Sequence, residues 1–251
     1  MKRVGIIGGI GYKSTAYYYE QINREVNRRA GGFVSADLML RSVNFEDYYE
    51  LMRAEDWDTI AHRLCFEALD LVLKNNCDYI AIATDTMHKV AERVLGPHEI
   101  IDDAIWPPIK TLLEVPLIHI GDCIAAKCRE KNAKRVLLLG SKYTMTEDFI
   151  KSRLSDFRIE AVDTSKYPNE INELNRIIFT ELHHGIVRSE SRRYIMEFMY
   201  RILFNSSSRP DAVILGSTSL NAILNSDNID IPVIDSAQAH IDSIVDICLS
   251  E

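Results

Sequence analysis

Two stretches of the chain, "DYIAIATDT" at residues 78–86 and "DAVILGSTS" at residues 211–219, decide its fold. Each stretch opens with Asp, continues as an apolar run typical of a buried strand, and reaches a hydroxyl residue six positions after the Asp. Thr84 and Ser217 therefore occupy equivalent positions of an internal repeat. The repeat predicts two similar domains in one chain.

The other apolar runs extend the repeat to four strands in each half. Amphipathic segments, such as "TMTEDFIKSRLSD" at 144–156, separate these runs, and this alternation is typical of βα units that build a parallel sheet. The fourth strands, "PLIHIGD" at 116–122 and "PVIDSA" at 232–237, both open with Pro. The remaining predicted strands are "RVGIIGG" (3–9), "ADLMLRSV" (36–43), "RVLLLGS" (135–141) and "FRIEAVD" (157–163).

This pattern predicts an α/β fold with two similar pseudo-symmetric domains, each a four-stranded parallel sheet flanked by helices. We expect residues 1–121 and 237–251 to form the first domain and residues 122–236 the second, because the last helix-like segment has no strand after it. Ligands of open parallel sheets bind outside the carboxyl ends of the strands. The predicted active site therefore lies in the inter-domain cleft, between two mirrored strand ends.

Composition and charge narrow the class of ligand. The chain has 251 residues, is 47% hydrophobic and carries a formal net charge of −8 without a dense Lys/Arg run. This balance argues against nucleic-acid and membrane partners and favours a small-molecule ligand. The N-terminal apolar run ends in glycines rather than in a cleavage site, and no stretch reaches the roughly 20 apolar residues of a membrane span. We therefore expect a cytoplasmic protein.

The cysteines do not indicate a metal or redox site. There are five, an odd number, and they are scattered along the chain. Cys123 and Cys128 are five residues apart in a helix-like segment, which suits neither a C-x-x-C pair nor a zinc site. The sequence predicts reduced, buried thiols and no metal.

Six segments give the chain a resemblance to a known family. They are "GIIGGIGYKST" (5–15), "TDTMHKVAE" (84–92), "LLGSKYTMTEDF" (138–149), "IIFTELHHG" (177–185), "ILGSTSL" (214–220) and "PVIDSAQAH" (232–240). In this order they resemble segments of the aspartate/glutamate racemase family, and most of all its bacterial broad-specificity amino-acid racemase subgroup. The resemblance implies a small amino-acid substrate, a homodimer, and catalysis without pyridoxal phosphate or another cofactor.

Members of this family place one catalytic Cys at the end of the third strand of each domain. The matching positions here carry Thr84 and Ser217. In the subgroup that the chain resembles, Thr at the first position is compatible with activity beside one remaining Cys, but this chain has lost both thiols. Asp85 also stands where the family has Asn, and Ser219 where it has Glu.

These replacements change the acid/base chemistry. Racemisation needs one group to remove the α-proton on one face of the substrate and another to donate a proton on the opposite face. A thiol with a pKa near 8.5 can serve both roles, whereas an alcohol is far less acidic and needs an adjacent base. Asp85 and His88 are the neighbours in the motif able to supply one. The predicted catalytic residues are therefore Thr84, Ser217, Asp85 and His88.

Further candidates are predicted to bind the substrate. The loop with Gly9 could bind a carboxylate through backbone N–H groups, or it could be a tight turn capped by Ser14. By resemblance, Tyr12 faces the cleft, while Thr86 and Thr218 bind the α-carboxylate; N-capping of helices is the alternative for Thr86, Ser217 and Thr218. Ser141 and Thr144 mirror the first loop, and Arg41 is a candidate cation for a distal carboxylate.

Four interpretations of the altered site stay open at the level of sequence. The first is a racemase or epimerase with rearranged acid/base groups, acting on an aspartate- or glutamate-like amino acid. The second is a related reaction in the same cleft, such as one-sided proton transfer, elimination or decarboxylation. The third is an amino-acid-binding protein without catalysis, because a fold does not fix a function. The fourth is an engineered Cys-to-Ser change, which leaves Asp85 and Ser219 unexplained.

Overall fold

The structure, a computed structural model, describes residues 1–94, 115–205 and 209–250. These residues divide into two compact units, one within Met1–His119 and Ile241–Glu251, the other within Ile120–His240. The sequence placed the two changes of domain at 121/122 and at 236/237. Each unit contains a four-stranded parallel sheet flanked by helices, so the predicted fold class is confirmed.

The sheet of the first unit has the strand order β2-β1-β3-β4. Its strands are β1 (Val4–Gly8), β2 (Leu38–Ser42), β3 (Tyr79–Ile82) and β4 (Leu117–Ile118). The helices are α1 (Tyr12–Ala30), α2 (Phe45–Arg53), α3 (Trp57–Leu73) and α4 (Ala91–Val94), and a 3-10 helix spans Thr86–Val90. The predicted strands of this half are confirmed, although β4 is shorter than "PLIHIGD".

The sheet of the second unit has the equivalent order β6-β5-β7-β8. Its strands are β5 (Arg135–Gly140), β6 (Glu160–Ala161), β7 (Ala212–Gly216) and β8 (Val233–Asp235). Two 3-10 helices span Leu182–His184 and Thr218–Ala222. The helices are α5 (Ile120–Glu130), α6 (Lys142–Thr146), α7 (Lys151–Asp156), α8 (Pro168–Thr180), α9 (Ser189–Asn205) and α10 (Ser236–Leu249).

Two helical details refine the sequence interpretation. The segment "TMTEDFIKSRLSD" does not form one helix: α6 ends before Glu147, whose backbone is extended with φ −98° and ψ 171°, and α7 starts at Lys151. The last helix, α10, begins in the second unit and ends in the first, as its lack of a following strand indicated. Among the described residues, no helix is long and apolar enough to cross a membrane.

The central strand of the second unit shows why these sequences form a parallel sheet. Leu137 and Leu139 of β5 belong to one buried apolar cluster, together with residues of α8 and α9. Val136 and Leu138 belong to another, together with residues of α5 and α7. Because side chains alternate between the two faces of a strand, helices cover both faces of this one. A continuous apolar run is the expected sequence of such a strand.

The Asp that opens each third strand has the same task in both units. Asp78 accepts a hydrogen bond on Oδ2 from the backbone N–H of Arg3, at 2.7 Å. Asp211 accepts two on Oδ2, from the N–H groups of Lys134 at 2.8 Å and Arg135 at 2.9 Å. The two carboxylates therefore attach the start of the neighbouring strand. The Asp that repeats in the sequence thus makes the same kind of hydrogen bond to the backbone in both units.

We predict that Asp211→Ala destabilises the second unit by about 1 kcal/mol, because two backbone N–H groups lose a charged acceptor at an exposed position. Urea unfolding measures the change. Asp230→Ala, which removes another exposed carboxylate of the same unit, is the matched control and should unfold like the parent. Equal midpoints for the parent and Asp211→Ala would contradict this role.

Candidate active site

The first loop of the candidate site follows β1 and depends on glycine. Gly9 has φ +96°, and a Cβ there would lie 2.1 Å from the carbonyl O of Val43, so no other residue fits. The N–H of Gly9 donates to Thr15 Oγ1 at 2.7 Å. The tight turn therefore forms, but it is Thr15 and not Ser14 that binds the loop, since α1 already starts at Tyr12.

The substrate-binding roles of Tyr12 and Gly9 stay predictions. The Tyr12 side chain is 69% exposed at the start of α1 and is accessible to a ligand. The Gly9 N–H serves the turn in this structure, so a carboxylate held by this amide would have to displace the hydroxyl of Thr15.

The polar residues after β3 are packed into the first unit. Thr84 is half-buried, while Asp85, Thr86 and His88 are buried at 4%, 8% and 1% exposure. His88 Nδ1 lies 2.8 Å from the backbone O of Thr84. A carbonyl oxygen can only accept, so Nδ1 carries the proton and a neutral imidazole has its basic lone pair on Nε2. The His88 side chain therefore holds the strand end at Thr84.

A second histidine, which the sequence interpretation missed, contacts His88. His119 follows β4 at 6% exposure, and the two rings meet edge to face with centroids 4.8 Å apart at 77°. Burial lowers the pKa of His119 to about 4, and a hydrogen bond with the His88 backbone opposes this shift. His119 is therefore neutral near pH 7. Aligning "PLIHIGD" with "PVIDSA" would have indicated the position, because His119 aligns with Asp235.

The equivalent end of β7 carries hydroxyl groups and an amide. Ser217 is half-buried, and its Oγ lies 3.0 Å from Ser219 Oγ. Among the described residues its side chain caps no helix, so the N-capping alternative for Ser217 is not supported. Asn221 Nδ2 donates to Asp235 Oδ2 at 2.6 Å. Thr218 is half-buried and starts the 3-10 helix.

Ser141 and Thr144 are buried at the end of β5. Ser141 Oγ accepts from the N–H of Thr144 at 3.3 Å and lies 3.1 Å from its Oγ1, so Ser141 is the N-cap of α6. The methyl group of Thr144 packs against the backbone where β5 and β7 end: Cβ atoms at Gly140 and Gly216 would lie 2.9 and 2.8 Å from it. Both residues are at the predicted edge, and their contact with substrate stays a prediction.

Arg41 has a partner that the sequence interpretation missed. Its guanidinium binds both carboxylate oxygens of Glu67 on α3, with Nη2 3.1 Å from Oε1 and Nε close to Oε2. This carboxylate raises the pKa of Arg41 and compensates its charge. Arg41 can bind a distal carboxylate of a substrate only if it shares or releases Glu67. The partner lies 26 residues away, and no local motif indicated it.

No cysteine substitutes for the missing thiols at the two strand ends. All five are buried, as predicted, and none belongs to a disulfide; they lie in α3, α5, α10 and, for Cys77, two residues before β3. Burial raises the pKa of Cys65, Cys77 and Cys248 to about 11 and of Cys128 to about 12, so these four are thiols near pH 7. Within the described ranges, no cluster of three His, Cys, Asp or Glu residues could hold a metal ion.

Each unit therefore gathers polar residues at the carboxyl edge of its own sheet. In the first unit, Thr84, Asp85 and His88 follow β3, while Gly9 follows the neighbouring strand β1. In the second, Ser217 follows β7, and the remaining candidates Thr218, Ser141 and Thr144 lie after β7 and β5. In α/β proteins with open parallel sheets, ligands bind at this edge, so the fold and the candidate site are those of a ligand-binding α/β protein.

The family follows from comparison with known proteins. A family model described as Asp/Glu/Hydantoin racemase matches residues 7–244. The chain belongs to this family, and the resemblance inferred from its motifs is confirmed.

Three relatives are similar along nearly the whole chain. One is a Yersinia pestis protein whose crystal structure is described as a candidate Asp/Glu racemase: 29% identity, a TM-score of 0.84 and 100% of both chains covered. A second is PH1733 of Pyrococcus horikoshii OT3, described as an aspartate racemase homologue, with 28% identity, a TM-score of 0.76 and 100% of both chains covered. The third, the broad-specificity amino-acid racemase RacX of Bacillus subtilis strain 168, is 23% identical, over 93% of this chain and 92% of the relative.

We predict that His119 makes the protein less stable in mild acid. Its folded pKa of about 4 lies below the ordinary value of 6.5, so its neutral form is favoured in the folded state. This contribution is fully present above pH 6.5 and is lost as pH falls towards 4, by up to about 3 kcal/mol in the free energy of unfolding. Urea unfolding at several pH values measures the slope.

His119→Asn should flatten this slope between pH 6.5 and 4, whatever its effect on stability near pH 7. His62→Asn, which removes one imidazole from α3, is the matched control. An unchanged slope in His119→Asn would show that His119 is not the group responsible.

Proposed function

We propose that this protein is a cofactor-independent amino-acid racemase or epimerase, which transfers a proton at the α-carbon of a small amino acid of the aspartate or glutamate type. The observation that carries the proposal is the equivalence of Thr84 and Ser217. Thr84 lies two residues beyond the end of β3, and Ser217 directly follows β7, so each lies at the carboxyl edge of its sheet. Membership of the racemase family supports the same reaction.

The proposed chemistry uses one strand end for each face of the α-carbon. One end takes the α-proton, and the other returns a proton to the opposite face, so that the net result is inversion. The proposal requires both ends to reach one substrate. With alcohols in place of thiols, Thr84 needs a neighbouring base to accept its hydroxyl proton, and Asp85 is directly adjacent. Ser217 has the hydroxyl of Ser219 3.0 Å away as a hydrogen-bond partner.

The remaining candidates are proposed to bind the amino acid. Hydroxyl and backbone N–H groups suit an α-carboxylate, and the fork of a guanidinium suits a distal one. For Arg41 this means that the substrate carboxylate competes with Glu67 for the same guanidinium. The proposed binding residues are Gly9, Tyr12, Thr86, Ser141, Thr144, Thr218 and Arg41.

Proton NMR in D₂O tests the reaction. The protein is incubated with L- and D-amino acids, including aspartate and glutamate, and the α-proton signal is followed together with chiral analysis. We expect loss of the α-proton with inversion. Exchange with retained configuration would contradict racemisation and indicate one-sided proton transfer. Tight binding without exchange would contradict it as well and indicate a protein that only binds the amino acid.

Variants at the two strand ends test the residues. We predict that Thr84→Ala and Ser217→Ala each lower kcat for exchange by about a hundredfold, since each removes the group that serves one face. Ser217→Cys should raise kcat, because a thiol is a stronger acid and base partner than an alcohol. Ser226→Ala, an exposed hydroxyl of the second unit, is the control and should keep the parent rate. Parent rates in both alanine variants would refute the assignment.

We further propose a cytoplasmic homodimer. Five buried cysteines outside any disulfide suit a reducing compartment. Leu40 of the edge strand β2 and Phe66 and Leu73 of α3 are 42%, 49% and 43% exposed, and the two α3 residues are seven positions apart on one helix face.

Light scattering behind size exclusion measures the assembly. We predict twice the 28.7 kDa chain mass for the parent and a monomer for the variant Phe66→Glu, because a charge in an apolar interface is costly. Phe204→Glu, at a 71% exposed position of the second unit, is the control and should stay dimeric. A monomeric parent would contradict the dimer.

A further inference from the structure

Two residue pairs occupy the same place in the two units. The strand register shows this: Ile118 of β4 pairs with Ala81 of β3, and Ile234 of β8 pairs with Ile214 of β7. Ala81 and Ile214 are equivalent, because each lies three residues after the Asp that opens its strand. The residues that follow Ile118 and Ile234, which are His119 and Asp235, are therefore equivalent as well.

The partners of these two residues are also equivalent. His88 lies ten residues after Asp78, and Asn221 lies ten residues after Asp211. Both belong to the 3-10 helix that follows the third strand of their unit. His88 contacts His119, and Asn221 contacts Asp235. In each unit, one side chain of the 3-10 helix thus contacts the residue at the end of the fourth strand, which is the last residue of β8 for Asp235 and the first residue after β4 for His119.

The pair of the first unit is an imidazole pair. The rings of His88 and His119 meet edge to face at 4.8 Å, and His88 Nδ1 donates to the Thr84 carbonyl at 2.8 Å. The Nε2 atom of His88 is buried as well. The pair therefore connects the end of β4 with the backbone of the predicted catalytic residue Thr84.

The pair of the second unit is an amide and a carboxylate. Asn221 Nδ2 donates to Asp235 Oδ2 at 2.6 Å, and Asp235 Oδ1 accepts from the N–H groups of Ala237 at 2.9 Å and Gln238 at 3.3 Å. Asp235 therefore joins the 3-10 helix after Ser217 to the first turn of α10. An amide has no basic nitrogen, so Asn221 can hold the 3-10 helix by its hydrogen bond but cannot transfer a proton.

We propose that His119 and Asp235 are equivalent positioning residues. Through His88 and Asn221, they fix the 3-10 helices behind Thr84 and Ser217, and thereby the two hydroxyl groups. Because an amide occupies the position of His88 in the second unit, the common task of the two positions is to hold the strand end. His88 acts through the Thr84 backbone and takes no proton from the substrate. This inference rests on the proposed α-proton transfer.

The test transfers the pair of the second unit into the first. His88→Asn and His119→Asp are made singly and together, so that the double variant carries the amide and carboxylate of Asn221 and Asp235. Each single variant leaves one member of the pair with an unsuitable partner. We expect each to lower kcat for α-proton exchange by about tenfold to a hundredfold with little change in KM, because a displaced hydroxyl impairs the reaction more than binding.

The double variant should recover at least about tenfold over the single variants, since the two positions interact. Asn221→Asp and Asp235→Asn, singly and together, form a second set, in which the double variant exchanges the two side chains and restores an amide beside a carboxylate. This second set keeps the test decisive if the first pair does not fold with an Asp after β4.

Amide hydrogen exchange gives a readout that needs no substrate. Single variants should speed exchange in residues 86–90 or 218–222, and the double variants should slow it again. If the parent protein exchanges no α-proton with any amino acid, the proposed function fails while this readout still decides the positioning roles.

Two results would overturn the inference. One is additive loss in both sets, which would mean that the paired residues do not act together. The other is a His88→Asn, His119→Asp double variant with parent-like amide exchange and no α-proton exchange, which would assign the imidazoles to proton transfer.

Discussion

The pairing of the first strand with the third in each unit is the constraint on which the candidate site depends. β1 pairs with β3 and β5 with β7, in parallel and in the same register relative to the opening Asp. At the end of the second ladder, the Cβ that Gly140 lacks would lie 2.5 Å from the O of Gly216. The backbones can approach this closely because residue 140 is glycine, while a Cβ at Gly216 would lie 2.8 Å from the Thr144 methyl group. Thr84 and Ser217 owe their equivalent positions to these two ladders.

No thiol stands at either strand end, so other polar groups must account for any proton transfer there. Four of its cysteines are held as thiols by burial, with a raised pKa. At the strand ends, the side chains are instead alcohols beside a buried carboxylate in one unit and beside another alcohol in the other. An alcohol can take the α-proton only when a neighbour accepts its own proton, which makes Asp85 central to the proposed chemistry.

Much of the fold could be predicted from the sequence, because apolar runs and a repeated Asp-to-hydroxyl spacing are local signals. The break between α6 and α7 could not, since it depends on the extended backbone of Glu147 within an otherwise helical pattern. Glu67 was missed because it reaches Arg41 from another element. His119 was missed because a single histidine in an apolar run is typical of a core position; only the aligned fourth strands identify it.

The two positioning pairs differ in chemistry and in charge. Burial keeps His119 neutral near pH 7. Asp235 is a carboxylate, but it accepts N–H groups from the first turn of α10, where the helix dipole favours a negative charge. Two side-chain pairs of different charge thus make the same connection at equivalent positions. At the first strand end, the acidic side chain next to Thr84 in the sequence is the buried Asp85, and the proposed proton transfer at Thr84 depends on it.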